Sequence, residues 1–177
     1  MHRTARLKVL AGSILTLSSW VGAQCLPAAC TLTLALQSDA SGVTLGGSGT
    51  QAASMSFSTI QAFGGSTPAG VTKVVGTTNW TISTPFDVKV TCTNLLNLLP
   101  CTLVLSSSYT LTAQLQTIDP VNTWKIGSST LSSAIASTLT SGGTYGQVAS
   151  YTFALTIPFV EPPGPISNQV NFVAISN

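Results

Sequence analysis

Between Phe86 and Leu115 apolar residues recur at every second position. Phe86, Val88, Val90 and Cys92 alternate with Asp87, Lys89 and Thr91. Cys101, Leu103 and Leu105 form a second short run. Tyr109, Leu111, Ala113 and Leu115 then alternate with Thr110, Thr112 and Gln114. A period of two puts one set of side chains on a buried face and the other toward water, the pattern of half-buried strands. Cys92 and Cys101 stand at facing ends of the first two runs, either side of Thr93 to Pro100. The simplest arrangement is a β-hairpin closed by a disulfide.

The same period recurs along the chain. Thr31 to Leu36 reads T-L-T-L-A-L, and Val43 to Leu45 and Met55 to Ile60 are shorter runs. Val71 to Val75 and Asn79 to Ile82 read as a hairpin around Gly76, after which Pro85 opens the central section. Thr123 to Ile126 carries Trp124. Leu131 to Leu139 fits either a strand or a helical turn. Tyr145 to Ile157 and Val170 to Ile175 complete the set. Roughly nine to eleven short strands separated by Gly, Pro, Asn and Ser punctuation point to an antiparallel β-sandwich. Strands do not alternate with helical segments, which argues against a parallel sheet. An eight-stranded outer-membrane barrel also alternates, but needs strands of about nine to eleven residues and aromatic girdles. Most runs here are shorter and the aromatics are scattered.

The N-terminus carries an address. Arg3, Arg6 and Lys8 precede an apolar run from Val9 to Val21, too brief to span a bilayer comfortably. Val21-Gly22-Ala23 supplies a small-residue cleavage pattern. Residues 1–23 therefore read as a signal peptide and 24–177 as one exported domain, bound for the periplasm, the cell surface or the medium. A retained anchor is the competing reading. After cleavage three lysines (Lys73, Lys89, Lys125) face four carboxylates (Asp39, Asp87, Asp119, Glu161), so the basic balance of the whole chain leaves with the signal. Clustered Lys/Arg is missing, and nucleic acid is not an expected partner. Charged residues make up 6% of the chain, against about a quarter in ordinary domains. Such a surface offers little repulsion between copies.

Four cysteines in an exported chain imply two disulfides. Cys92–Cys101 with Cys25–Cys30 joins the pairs closest in sequence. A metal site has little support: the cysteines lack zinc-type spacing and the one histidine, His2, lies in the signal segment. Without a histidine the expected domain holds no Ser-His-Asp or Cys-His arrangement. Asp39 and Asp119 fall in turns, Asp87 on an outward strand position beside Lys89, and Glu161 before two prolines. Any two could meet in space as a glycosidase pair, but nothing in their spacing says that they do. The glycines form neither GxGxxG nor a phosphate-binding loop. No cofactor and no enzymatic activity are expected.

Two features offer contacts. Leu95, Leu96, Leu98 and Leu99 crowd the loop between Cys92 and Cys101. They either cap the core or meet a protein partner. Trp80 and Trp124 are core residues in one reading and stacking platforms for sugar rings in the other.

Taken together, the signal peptide, the early cysteine (Cys25 or Cys30), the strand Thr31 to Leu36, Val90-Thr91-Cys92-Thr93 and the closing strand after Gly164 resemble the immunoglobulin-like sandwiches of bacterial surface fibres. These are pilin-type and spore-coat-U-like subunits. The resemblance implies assembly by strand donation, with Leu32, Leu34 and Leu36 filling a neighbour's groove. The expected function is that of an exported, non-enzymatic structural or adhesive surface protein that self-assembles. The alternative is a monomeric carbohydrate-binding module.

Overall fold

The structure is a computed structural model that describes residues 30–47, 49–63, 67–94 and 108–177. Thirteen strands run through them, and helix is absent from the described residues. In chain order they are β1 (Cys30–Gln37), β2 (Val43–Gly46), β3 (Ala52–Phe57), β4 (Ile60–Gln61), β5 (Thr72–Val75), β6 (Asn79–Asn94), β7 (Ser108–Leu115), β8 (Thr123–Ile126), β9 (Ser129–Thr130), β10 (Ser137–Thr144), β11 (Val148–Pro158), β12 (Pro165–Ile166) and β13 (Gln169–Ser176).

The first sheet is organised on β6, which spans 16 residues. One edge of β6 pairs antiparallel with β11, from Pro158 opposite Asn79 to Val148 opposite Lys89. The other edge is shared. β5 takes its first part, with Val75 opposite Trp80 and Thr72 opposite Ser83. β1 takes its last part, with Gln37 opposite Asp87 and Cys30 opposite Asn94. Pro85 falls in the gap between them. It has no N–H to give to a ladder, and no strand lies on that side to want one. The chain therefore runs straight through the proline that sequence reading takes as a boundary. β8 and β9 extend this sheet beyond β11, and the second sheet has the order β10-β7-β13-β3-β2. A short pair, β12 with β4, stands apart. The sheets are open rather than closed on themselves, which excludes the barrel for the described residues.

The two large sheets face each other across one core. From the first come Leu32, Leu34, Trp80, Ile82, Phe86, Val88, Val90, Phe153, Leu155 and Ile157. From the second come Met55, Phe57, Tyr109, Leu111, Val170 and Phe172. Burying each large apolar side chain stabilises the fold by about 1.5–3 kcal/mol. An aromatic stack ties the layers: Phe57 lies on Phe153 at 4.3 Å between centroids, interplanar angle 7°. Trp124 follows at 5.8 Å from Phe153. Phe86 and Phe172 form a second bridge, edge to face at 5.7 Å.

Tyr109–Leu115 alternates as expected and belongs to the sheet opposite β6, bonded to β10 and β13. The run Cys101 to Leu105, the expected hairpin partner of Phe86–Cys92, lies outside the described residues. The segment 131–139 is not a helical turn: its last residues open β10, which bulges twice along β7. The hairpin around Gly76 stands as read, closed by Gly76 N–H donating to Asn79 C=O at 2.8 Å.

Candidate functional site

The residues singled out by sequence fall in three places. The first is β1. Leu32, Leu34 and Leu36 share a face, Leu32 and Leu34 are buried in the core, and Leu36 packs against it in part. They fill this chain's own groove. β1 is an edge strand with β6 as its ladder partner. Its outer edge is crossed once, where Leu34 N–H donates to Thr50 C=O at 2.7 Å. That bond shows that the backbone groups of Leu32, Leu34 and Leu36 point away from β6, since bonding direction alternates along a strand. Thr31 and Thr33 point outward, directly across from Thr93 and Thr91.

The second place holds the tryptophans. Trp80 is 5% exposed and Trp124 is 1% exposed. Trp80 donates its indole N–H to Ala62 C=O at 3.0 Å, and Lys73 Nζ lies 4.2 Å above its ring. Trp124 donates to Asp119 Oδ2 at 2.7 Å. Asp119 Oδ1 accepts from the Val121 and Asn122 amides. One carboxylate thus shapes the 116–122 connection and satisfies a buried indole, a role that the turn reading of Asp119 covered only in part. Stacking on a sugar needs an open ring face. As candidate glycan contacts Trp80 and Trp124 are therefore corrected to core residues.

The third place is a cleft that sequence reading missed. Where β1 ends and β5 has not begun, the gap at Pro85 leaves a cavity of about 170 Å³. Asp39 and Asp87 both line it, with Ser38 and Thr84. Their positions, 48 residues apart in sequence, gave no sign of this; only the shared edge of β6 brings them together. Asp87 and the hydroxyls of the cleft are already engaged. Ser150 Oγ donates to Asp87 Oδ1 at 2.6 Å, and the buried Thr84 hydroxyl donates to Gly70 C=O at 3.2 Å. Ser38 Oγ donates to Pro85 C=O at 3.3 Å, so neither hydroxyl is paired with a base as a nucleophile would be.

Titratable groups in the core are few. Burial holds the Tyr109 phenol above its ordinary pKa, reinforced by Tyr151 and Tyr145 nearby. Burial also raises Tyr151. Both stay neutral at physiological pH. Tyr145 donates its hydroxyl to Ser108 C=O at 2.9 Å, tying the connection after β10 to the start of β7. Among the described residues no group of three or more His, Cys, Asp or Glu is placed to hold a metal ion, and no helix is long and apolar enough to cross a membrane.

Cys92 is disulfide-bonded. Its expected pairing with Cys101, the Cys25–Cys30 pair and the loop leucines Leu95, Leu96, Leu98 and Leu99 lie outside the described residues. Compared with known proteins, the chain matches no family model, no curated protein and no solved structure.

Proposed function

We propose that this chain is an exported, non-enzymatic structural or adhesive protein of a cell surface, and that it works assembled with further copies or other surface subunits. One observation carries the reading: the N-terminal strand β1 sits at a sheet edge, yet delivers Leu32 and Leu34 to the core. A strand held by one ladder can leave its own groove and fill a copy's without new chemistry, which is the physical basis of strand exchange. The Ser/Thr-rich, weakly charged surface supports the same reading, because it adds little repulsion between neighbours. Burial of Trp80 and Trp124 removes the support for carbohydrate binding.

The test is complementation. A chain lacking residues 24–37 loses two buried leucines, each worth about 2–5 kcal/mol even as a truncation to alanine. It is expected to lose its cooperative unfolding transition. A synthetic peptide of residues 30–37, with Cys30→Ser, is expected to restore it and to elute with the truncated chain. A truncated chain that folds alone, or one that ignores the peptide, would show that β1 is not an exchangeable element.

A further inference from the structure

β5 is an edge strand unlike most of the others. β9 has two residues, β10 is bulged twice and the outer edge of β1 is crossed by Thr50; β2 is as short as β5 but keeps Val43 packed on the core. Short length, bulges and covering are the usual guards against edge pairing. β5 is exposed along its whole length, with Val74 61% and Val75 67% exposed.

The direction of its backbone groups follows from the hairpin. Gly76 and Asn79 are hydrogen-bonded to each other, and bonding alternates along an antiparallel pair. Thr72 and Val74 therefore bond toward β6, while Lys73 and Val75 turn their N–H and C=O groups outward. Among the described residues no backbone group is bonded to them there. Lysine at an edge normally blocks pairing. Here Lys73 folds over Trp80, 4.2 Å from the ring centroid, where the ring face attracts its charge. Its charge is thereby drawn inward, leaving the edge unguarded.

We infer that two copies of this chain pair through β5, antiparallel about a two-fold axis at Val74, joining their first sheets into one. The register is set by chemistry. Centring on Val74 uses both outward residues, Lys73 bonding with Val75 of the other copy and the reverse. It places the two Val74 side chains directly opposite on the outer face. It also lays each Lys73 stem against an exposed Val75. A register centred on Lys73 sets like charges face to face, which is destabilising. This contact rests on the assembly reading proposed above as one route to it, and its test separates the two.

Sedimentation velocity and native mass spectrometry on the oxidised protein provide that test. The wild-type chain is expected to show a concentration-dependent dimer. Val74→Asp and Val74→Lys, at a site exposed enough to leave thermal unfolding unchanged, are each expected to weaken it about tenfold or more through like-charge opposition. Mixed one to one, they are expected to recover a heterodimer of intermediate mass. Dimers unaffected by both variants, or lost in both and not recovered on mixing, overturn the β5 contact. If larger assemblies persist in both variants, that contact fails while the assembly reading stands. A wild-type monomer throughout overturns both.

Discussion

Phe153→Ala is expected to lower the unfolding free energy by about 3–5 kcal/mol, the range for deleting a buried aromatic ring. Phe153 is fully buried on β11, between β6 and β8. Its ring is the middle of the stack that joins the sheets, with Phe57 at 4.3 Å and Trp124 at 5.8 Å. Truncation removes the burial of the ring, the stacking on both sides and the fill of the space between layers. Neither sheet can close the hole, because each is held by ladders on both sides of it. Urea unfolding followed by tryptophan fluorescence measures the loss. Phe153→Leu keeps most of the volume and is expected to cost roughly half as much. A Phe153→Leu variant as stable as the wild type would mean that the stack adds nothing beyond the ring's bulk.

Gly143→Ala is the second large effect, expected at about 3 kcal/mol, the upper end of overpacking. The cause is space rather than backbone conformation. Gly143 lies opposite Tyr109 across the bulged β10–β7 pair. A Cβ there would stand 2.2 Å from Tyr109 Cζ and 2.5 Å from Cε2. The ring cannot swing away. Tyr109 is 1% exposed, and Tyr145 sits 5.5 Å from it. Gly142 is the control, since a Cβ added there meets nothing within 4 Å, and Gly142→Ala is expected to be neutral. Thermal unfolding of the two alanine variants side by side decides it; equal melting temperatures would place Tyr109 elsewhere than against Gly143.

Much of the fold is legible from side-chain period alone. Thr31–Leu36, Met55–Ile60, Tyr109–Leu115 and Tyr151–Ile157 alternate in sequence, and β1, β3, β7 and β11 bury the apolar half of each, although β3 ends at Phe57 and Ile60 opens β4. Period says which face is buried but not which strand lies alongside. The alternation of Tyr109–Leu115 therefore does not reveal that it belongs to the sheet facing Phe86–Cys92. Pro85 misleads for a related reason: a proline ends a strand only where a neighbour needs its N–H, and the neighbour's absence is set by β1 and β5, far away in sequence. The same shared edge creates the Asp39–Asp87 cleft, so the cleft too was beyond local reading.

The candidate site was legible in part. Leu32, Leu34 and Leu36 were found because alternation marks them as one face, and the structure assigns that face to this chain's own groove. Trp80 and Trp124 carried two readings in sequence. Their indole N–H groups find Ala62 and Asp119 inside the fold, which a composition argument could not foresee. The exposed β5 was read correctly as a strand. The pairing proposed for it was hidden because Thr-Lys-Val-Val looks like any other short exposed strand until Lys73 is seen to fold back on Trp80.

The measurement that bears most directly on the central claim is light scattering behind size exclusion on the oxidised chain starting at Gln24, with negative-stain imaging of any large species. An assembled surface protein is expected to give ordered oligomers or fibres that grow with concentration. A single monomeric species from low to high micromolar concentration, with nothing larger on the grid, would contradict the account.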